Sequence, residues 1–291
     1  MSLVVNHNLM AANSSRYLNT HYKALSDSTR KLSSGLRVET AADDAAGLAI
    51  RELMRADIAA LNQGVRNAND GISLIQTADS ALGVIDEKLV RMKELAEQAA
   101  TGTYDSTQRL IIDSEYQQMA SEITRIANAT DFNGIKLLDG NLSSDTHDGT
   151  GLVSTGKLKI HFGTANDSAE DYYYIQIGDS TASALGVGNA NGGGAGHDIS
   201  TQANAQKALD AINNAIVSKD NIRAHLGALQ NRLENTITNL EVQSENLQSA
   251  ESQISDVDVA TEMTNFVRNQ ILTQSAVSML GQANSLPQMA L

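Results

Sequence analysis

Two adjacent carboxylates, Asp43 and Asp44, six histidines and a glycine cluster at 188–196 are the residues whose types invite a chemical reading. A general acid and a general base must face each other across a cleft. Neighbours in sequence do not, so the two aspartates fit helix capping rather than proton transfer. His7, His21, His147, His161, His197 and His225 show no pairing at metal-ligand spacing and fit exposed helix and loop positions. The glycines run as GNANGGGAGHD, without the Lys-Ser/Thr close of a phosphate cradle and without a strand-helix-strand unit around them. No nucleophile and base constellation can be assembled. Sequons at Asn13, Asn128, Asn141 and Asn166 arise readily in a chain this rich in Asn and Ser. The residues therefore point to no catalysis, no cofactor and no metal, and the sequence has to be read for what it builds.

Composition narrows the scaffold. The chain has 291 residues, 34 acidic against 21 basic, and a net charge of -13, which argues against nucleic acid or an anionic membrane as the main partner. There is no cysteine and no tryptophan, and three phenylalanines with seven tyrosines cannot fill a thick core. Ala, Leu, Ile and Val at regular spacing can fill a thin helical seam instead, and the single proline, Pro287, leaves the helices uninterrupted. No run approaches a membrane span. Residues 1–30 lack the basic segment and apolar block of a cleavable signal peptide, so export would use another route.

The organising feature is a heptad beat. Met54, Ile58, Leu61, Val65, Ala68, Ile72 and Ile75 step by four and three, and after a gap Leu82, Ile85, Leu89, Met92, Ala96 and Ala99 resume it. A helix of that length extends roughly 70 Å at about 1.5 Å per residue and needs an equally long partner. Leu226, Leu233, Leu240, Leu247 and Ile254 supply one, with Leu229, Ile237 and Ala250 in the second seam position. A third helix is expected at about 107–129, on Leu110, Ile111, Tyr116, Met119, Ile123 and Ile126.

Between these helices lies a β region at about 131–200. Asn133-Gly134 and Asp139-Gly140 favour positive φ and tight turns. Leu158, Ile160 and Phe162 alternate with Lys157, Lys159 and His161, and Tyr173, Ile175 and Ile177 with Tyr172, Tyr174 and Gln176, the pattern of a half-buried hairpin. Eight acids against two lysines across 139–200, with the glycine run, imply solvated, mobile loops. At the two ends, Leu18, Leu25, Leu32 and Leu36 on one side and Met263, Val267, Ile271, Val277 and Leu280 on the other form stripes of arms too marginal to stand alone. They order when packed on each other and on other copies, so these residues are the expected subunit interface.

Four motifs carry a family resemblance. LSSGLRVETAADDAAGLAI at 32–50, RNANDGIS at 66–73, DFNGIKLLDG at 131–140 and LGALQNRLENTITNL at 226–240 resemble the signatures of bacterial flagellins, and both termini fit as well. The likeness covers nearly everything outside roughly 141–205, and the length fits the short type with inner and rod domains only. Flagellins usually run a few apolar residues past the position of Leu291. The combined expectation is a mainly α chain: a long antiparallel coiled-coil or helical-bundle rod (helices about 45–100, 107–129 and 203–255 in a rod domain at 45–255) with a small β-hairpin region. Its terminal helices, 1–44 and 256–291, pair as an inner tube domain. The resemblance implies a structural subunit that polymerises into the extracellular flagellar filament used for motility. A hook-filament junction protein, or a secreted helical effector or adhesin, is the alternative.

The same resemblance implies partners: copies of the chain itself, an export chaperone, hook-associated and cap proteins, and the flagellin-sensing Toll-like receptor. Sugars, where present, are expected on Ser or Thr of the outer loops. The stretch LVRMKELAEQA at 89–99 looks like the receptor-recognised segment, with Arg91 and Leu95 as contacts and Glu115 at the third contact position. Leu95 lies off the stripe of Leu89, Met92, Ala96 and Ala99, and so reads as an exposed anchor on the face of Arg91.

Overall fold

A computed structural model describes residues 8–143, 156–167, 170–188 and 196–289, with side chains to 285 in the last helix. The five long helices are α1 (Leu9–Ser34), α2 (Ala45–Ala100), α3 (Ser106–Ala129), α4 (Gln202–Ser255) and α5 (Val259–Met289). The strands are β1 (Asp131–Phe132), β2 (Ile135–Lys136), β3 (Leu158–His161) and β4 (Tyr172–Ile175), forming two antiparallel hairpins. The chain divides into two compact units inside α2 and α4 rather than at their ends: Ala60–Gln243, and Met1–Ala59 with Ser244–Leu291. Among the described residues no helix is long and apolar enough to cross a membrane. His7, His147 and the glycine-rich stretch at 189–195 lie outside the described residues.

The central unit, Ala60–Gln243, holds the large core. The buried row of α2 runs through Leu61, Gly64, Ala68, Gly71, Ile75 and Ala78 and continues through Leu82, Ile85, Leu89, Met92, Ala96 and Ala99. These positions alternate by three and four without a break, the period of a coiled-coil seam. Three expectations are corrected here. The seam passes through Gly64 and Gly71, while Val65 and Ile72 stay half-buried on its flank, and Ala78 fills the apparent gap. Facing α2 are Ile212, Ala215, Leu226, Leu229 and Leu233 of α4. Asp79 pairs with Arg223 and Asp86 with Lys219, so the sequence rises along one helix as it falls along the other and the pair is antiparallel.

Helix α3 starts on a reciprocal cap in which Asp105 accepts from the Gln108 N–H and Gln108 reaches back to the Asp105 N–H. It buries Ile112, Tyr116, Ala120, Ile123 and Ala127, whereas Leu110 and Ile111 are 58% and 69% exposed, contrary to the expected face. Counting four back from the buried Tyr116 gives Ile112, and helical geometry then turns Ile111 outward.

The first hairpin turns on Asn133 (φ 51) and Gly134 (φ 83), the two positive-φ positions that its two-residue loop requires. In the second, Lys159 pairs with Tyr174 and Ile160 with Tyr173. This hairpin sits on α2 because α2 makes room for it. A Cβ on Gly64 would stand 2.0 Å from the Phe162 carbonyl oxygen, and one on Gly71 would stand 3.3 Å from the Ile160 side chain. Asn67, between them, donates from Nδ2 to the His161 carbonyl at 2.8 Å. From the other side, Arg232 of α4 lies 3.6 Å above the Tyr173 ring.

In the second unit α1 pairs with α5. Asn8 caps α1 and donates from Nδ2 to the Ala283 carbonyl at 2.7 Å, while Leu36 bridges to Asp256, so this pair is antiparallel too. Its inward positions are Ala11, Ser14, Leu18, His21, Leu25, Ser28 and Leu32 on α1. On α5 they are Phe266, Asn269, Thr273, Ala276, Leu280 and Ala283. Small and polar side chains fill much of this seam.

Glycine contacts yield opposite expectations for two helical positions. Gly64→Ala drives its methyl into the Phe162 backbone and should destabilise the chain by about 1–3 kcal/mol. Gly83→Ala meets nothing within 4 Å and should stabilise α2 by about 0.5–1 kcal/mol. Urea unfolding of both variants checks the pair, and equal midpoints would refute the account of hairpin docking.

Candidate assembly site

Within the second unit, a junction at 35–44 and 254–258 links α1 to α2 and α4 to α5. Gly35 ends α1 in the left-handed conformation (φ 73) and donates to the Lys31 carbonyl. Two strands of chain then cross: Arg37 N–H donates to the Ser255 carbonyl at 2.6 Å, and Val257 N–H to the Gly35 carbonyl at 3.0 Å. The Arg37 guanidinium closes over the end of α4, giving Ile254 O two hydrogen bonds at 3.2 and 2.7 Å. These satisfy a carbonyl that has no partner within the helix. Arg51, almost fully buried, donates to the Val38 carbonyl at 2.6 Å and pairs with Glu52.

The two adjacent aspartates are divided between two caps. Asp44 accepts from the Gly47 N–H at 2.9 Å at the start of α2. Asp43 accepts from the Thr40 N–H and hydroxyl at 3.0 and 2.9 Å and meets Arg30 at 3.1 Å. The Thr40 backbone and hydroxyl donors first, then the Glu39 N–H and last the Arg30 charge, lower its pKa from 3.8 to about 2. On the far side of the junction, Asp258 caps α5 by accepting from the Ala260 and Thr261 N–H groups and the Thr261 hydroxyl.

The expected interface residues separate into two groups. Leu18, Leu25 and Leu32 are half-buried in the seam between α1 and α5, with Leu36 half-buried in the junction and Leu280 in the α5 seam. Met263, Val267, Ile271 and Val277 are instead 46%, 44%, 57% and 54% exposed. These four aliphatic residues of α5 thus lie beside its heptad, which holds Asn269, Thr273 and Ala276 together with Phe266 and Leu280. Among the described residues, the buried hydrophobics of this unit are Val38, Ala276 and Ala283 alone. What the arrangement offers is an uncovered apolar flank on an ordered helix pair.

The three residues of the receptor expectation lie in the central unit, and one is corrected. Arg91 meets Glu115 of α3 at 2.7 Å and Glu94 at 2.9 Å, all three partly exposed. Leu95 is 1% exposed and belongs to the core, because α2 here is covered by α3 as well as α4 and buries two faces rather than one stripe. An exposed aliphatic does stand beside this ion pair. It is Ile111, one turn before Glu115 and 69% exposed.

Among the described residues no group of three His, Cys, Asp or Glu is placed to hold a metal ion. An open groove of about 770 Å³ between the second hairpin and α4 is lined by amides at Asn231, Asn235, Asn239 and Gln243, by Arg232, and by a single carboxylate, Glu170.

Comparison with known proteins places these features in a family. Residues 5–143 match the bacterial flagellin N-terminal helical region, and residues 209–291 the bacterial flagellin C-terminal helical region. A flagellin of Halalkalibacterium halodurans is 43% identical over 289 residues, covering 99% of this chain and 98% of that protein. A flagellar filament 33 kDa core protein of Treponema phagedenis is 41% identical, covering 99% of each. A solved structure assigned as a flagellar hook-associated protein, from Vibrio parahaemolyticus, aligns with 74% of this chain and 100% of its own, at a TM-score of 0.55 and 14% identity, a likeness of fold alone.

The junction should be acid-sensitive through Asp43. A carboxyl whose folded pKa is depressed stabilises the fold above its unfolded value, and that contribution is lost as pH falls through the folded value, here between about 4 and about 2. A carboxyl-carbon NMR titration of Asp43 should show its midpoint near 2, and a midpoint near 4 would contradict the described turn.

Proposed function

The chain belongs to the bacterial flagellin family, a structural family and not one of enzymes, and from that premise we propose how this filament subunit uses its parts. Residues 1–44 and 256–291 supply the inner tube of the helical filament, and residues 45–255 the wall around it, outside the cell. The observation that carries this is the uncovered flank of α5, where Met263, Val267, Ile271 and Val277 stand about half exposed while almost nothing in their unit is buried. A surface of this kind is covered by a different surface of the next copy, and a head-to-tail contact whose rotation does not close propagates as an open helix. Deleting residues 1–40 or 256–291 should leave a soluble helical chain that forms no filaments, because the core of Ala60–Gln243 is complete without them. Negative-stain microscopy with circular dichroism checks this, and filaments of normal length from either deletion would count against it.

The same flank gives an export chaperone something to hold. An apolar stripe with only Glu262 and Arg268 charged in the last 33 residues invites aggregation before assembly. Export through the flagellar type III apparatus, with hook-associated and cap proteins at the ends of the filament, leaves the N-terminal segment uncleaved. Intact-mass measurement of filament subunits should find no loss beyond Met1.

For the flagellin-sensing Toll-like receptor, the contact surface is Arg91 with Glu115, and Ile111 takes the exposed aliphatic role that Leu95 cannot fill. An arginine flanked by an aliphatic side chain is suited to a hot spot. Arg91→Ala should lower monomer signalling about tenfold, roughly 1.4 kcal/mol. Leu95→Ala is a poor probe, since a cavity in the core costs about 2–5 kcal/mol by itself. Unchanged signalling by a folded Arg91→Ala chain would remove this assignment.

A further inference from the structure

The α4 seam steps through Ile212, Ala215, Lys219, Ile222 and Leu226, and Lys219 is the charged member of this apolar row. It is 1% exposed. Its Nζ lies 2.5 Å from Asp86 Oδ1 on α2 and 2.8 Å from Asp220 Oδ1 on its own helix. Seven residues before Asp86, Asp79 takes the Arg223 guanidinium at 2.7 and 3.2 Å. A buried ion pair in such a place adds little stability, because removing charges from water costs about what their attraction returns, and replacing both partners by hydrophobic residues is often neutral or stabilising. Its position therefore needs another reason.

The apolar seam leaves one degree of freedom open. Both helices repeat by sevens, so a seven-residue slide of α4 along α2 again sets apolar positions against apolar positions. Periodicity fixes which faces meet and leaves the register degenerate. The charges are not degenerate. Sliding one way carries Lys219 to Asp79 but sets Arg223 against Ile72, and sliding the other way carries Arg223 to Asp86 but sets Lys219 against Lys93.

We propose that Lys219 with Asp86, backed by Arg223 with Asp79, selects one α2 and α4 register from the set that the heptads allow. Each slip strands one cation opposite an apolar or like-charged side chain, and only the observed register pairs both. A lysine at a seam position serves the same end in coiled coils, specifying register at a cost in stability.

The chain has no cysteine, so spin labels on cysteines introduced at the exposed Glu97 and Val217 report the register uniquely. The labelled full chain is diluted into unlabelled chain so that only distances within one molecule count. With the native residues a single distance is expected. Lys219→Leu should keep helicity, because the carboxylate it leaves behind, Asp86, is 36% exposed and stays hydrated, and should add a second distance population displaced by up to about 10 Å, seven residues at about 1.5 Å each. The charge swap Asp86→Lys with Lys219→Asp should return a single native distance. A single unchanged distance in Lys219→Leu overturns the proposal, since the apolar seam and β region then fix register unaided. Loss of helicity in Lys219→Leu overturns it as well, because a leucine at a seam position should pack, and so does a second population in the charge swap.

Discussion

A long helix whose apolar row repeats by three and four must be covered along its whole length, and the two units of this chain meet that requirement to very different degrees. In Ala60–Gln243 the rows of α2, α3 and α4 close on one another around Leu82, Ile85, Leu89, Tyr116 and Leu226, all essentially inaccessible. Burying one such aliphatic side chain is worth about 1.5–3 kcal/mol, an upper figure because an unfolded chain already hides part of that surface. Repeated over the seam, this gives a fold that stands by itself. In the terminal unit the equivalent positions include Ser14, His21, Ser28, Asn269 and Thr273, which gain little from burial. The helices are equally regular, but the free energy that would hold them together has been left on their outer surfaces.

Much of the architecture was legible from spacing alone. The expected bounds of α2, α3 and α4 match the observed ones to within a residue, and the Asn133-Gly134 turn and the alternation across the second hairpin are as read. Where the structure departs from the spacing there is a common cause: hydrophobicity is not by itself a sign of burial. The α2 seam uses Gly64 and Gly71, where the absence of a side chain is what the packing needs, since the Phe162 backbone occupies the place of a Cβ. Ile111 and Leu95 err in opposite directions. Ile111 is large and apolar yet turned out, and Leu95 sits off the main stripe yet is turned in because a third helix covers that side. The strict three-four period, continued through glycine and alanine in α2 and through asparagine, threonine and alanine in α5, contains both seams. It does not contain the second buried face of α2, because that depends on where α3 lies.

The junction explains why one stretch of sequence is so distinctive. LSSGLRVETAADDAAG contains a left-handed glycine cap, an arginine that closes the end of another helix, a capped turn and an N-cap, in that order. Gly35, Arg37 and Asp44 answer backbone groups at the ends of α1, α4 and α2, and Asp43 those of the turn at Thr40. Arg37 and Arg51 act on carbonyls at Ile254 and Val38, so planar guanidinium geometry matters here as much as charge. A lysine at position 37 could not give the Ile254 carbonyl two donors from a rigid fork.

The same logic bears on why α5 keeps its aliphatics outside its own seam. If Met263, Val267, Ile271 and Val277 faced α1, the helix pair would be stable alone and would have little to offer a neighbouring copy. With each about half exposed, covering the remainder is worth about 1 kcal/mol per residue by area, or about 4 kcal/mol for the flank. That is of the same order as the lowest estimates of the freedom lost when two molecules associate, so one such contact does not hold a pair together. A subunit that meets several copies at once gains the contact several times while losing its freedom once. An interface of this strength is silent between two free chains and decisive in a lattice of many, which is the behaviour a filament subunit needs before and after assembly.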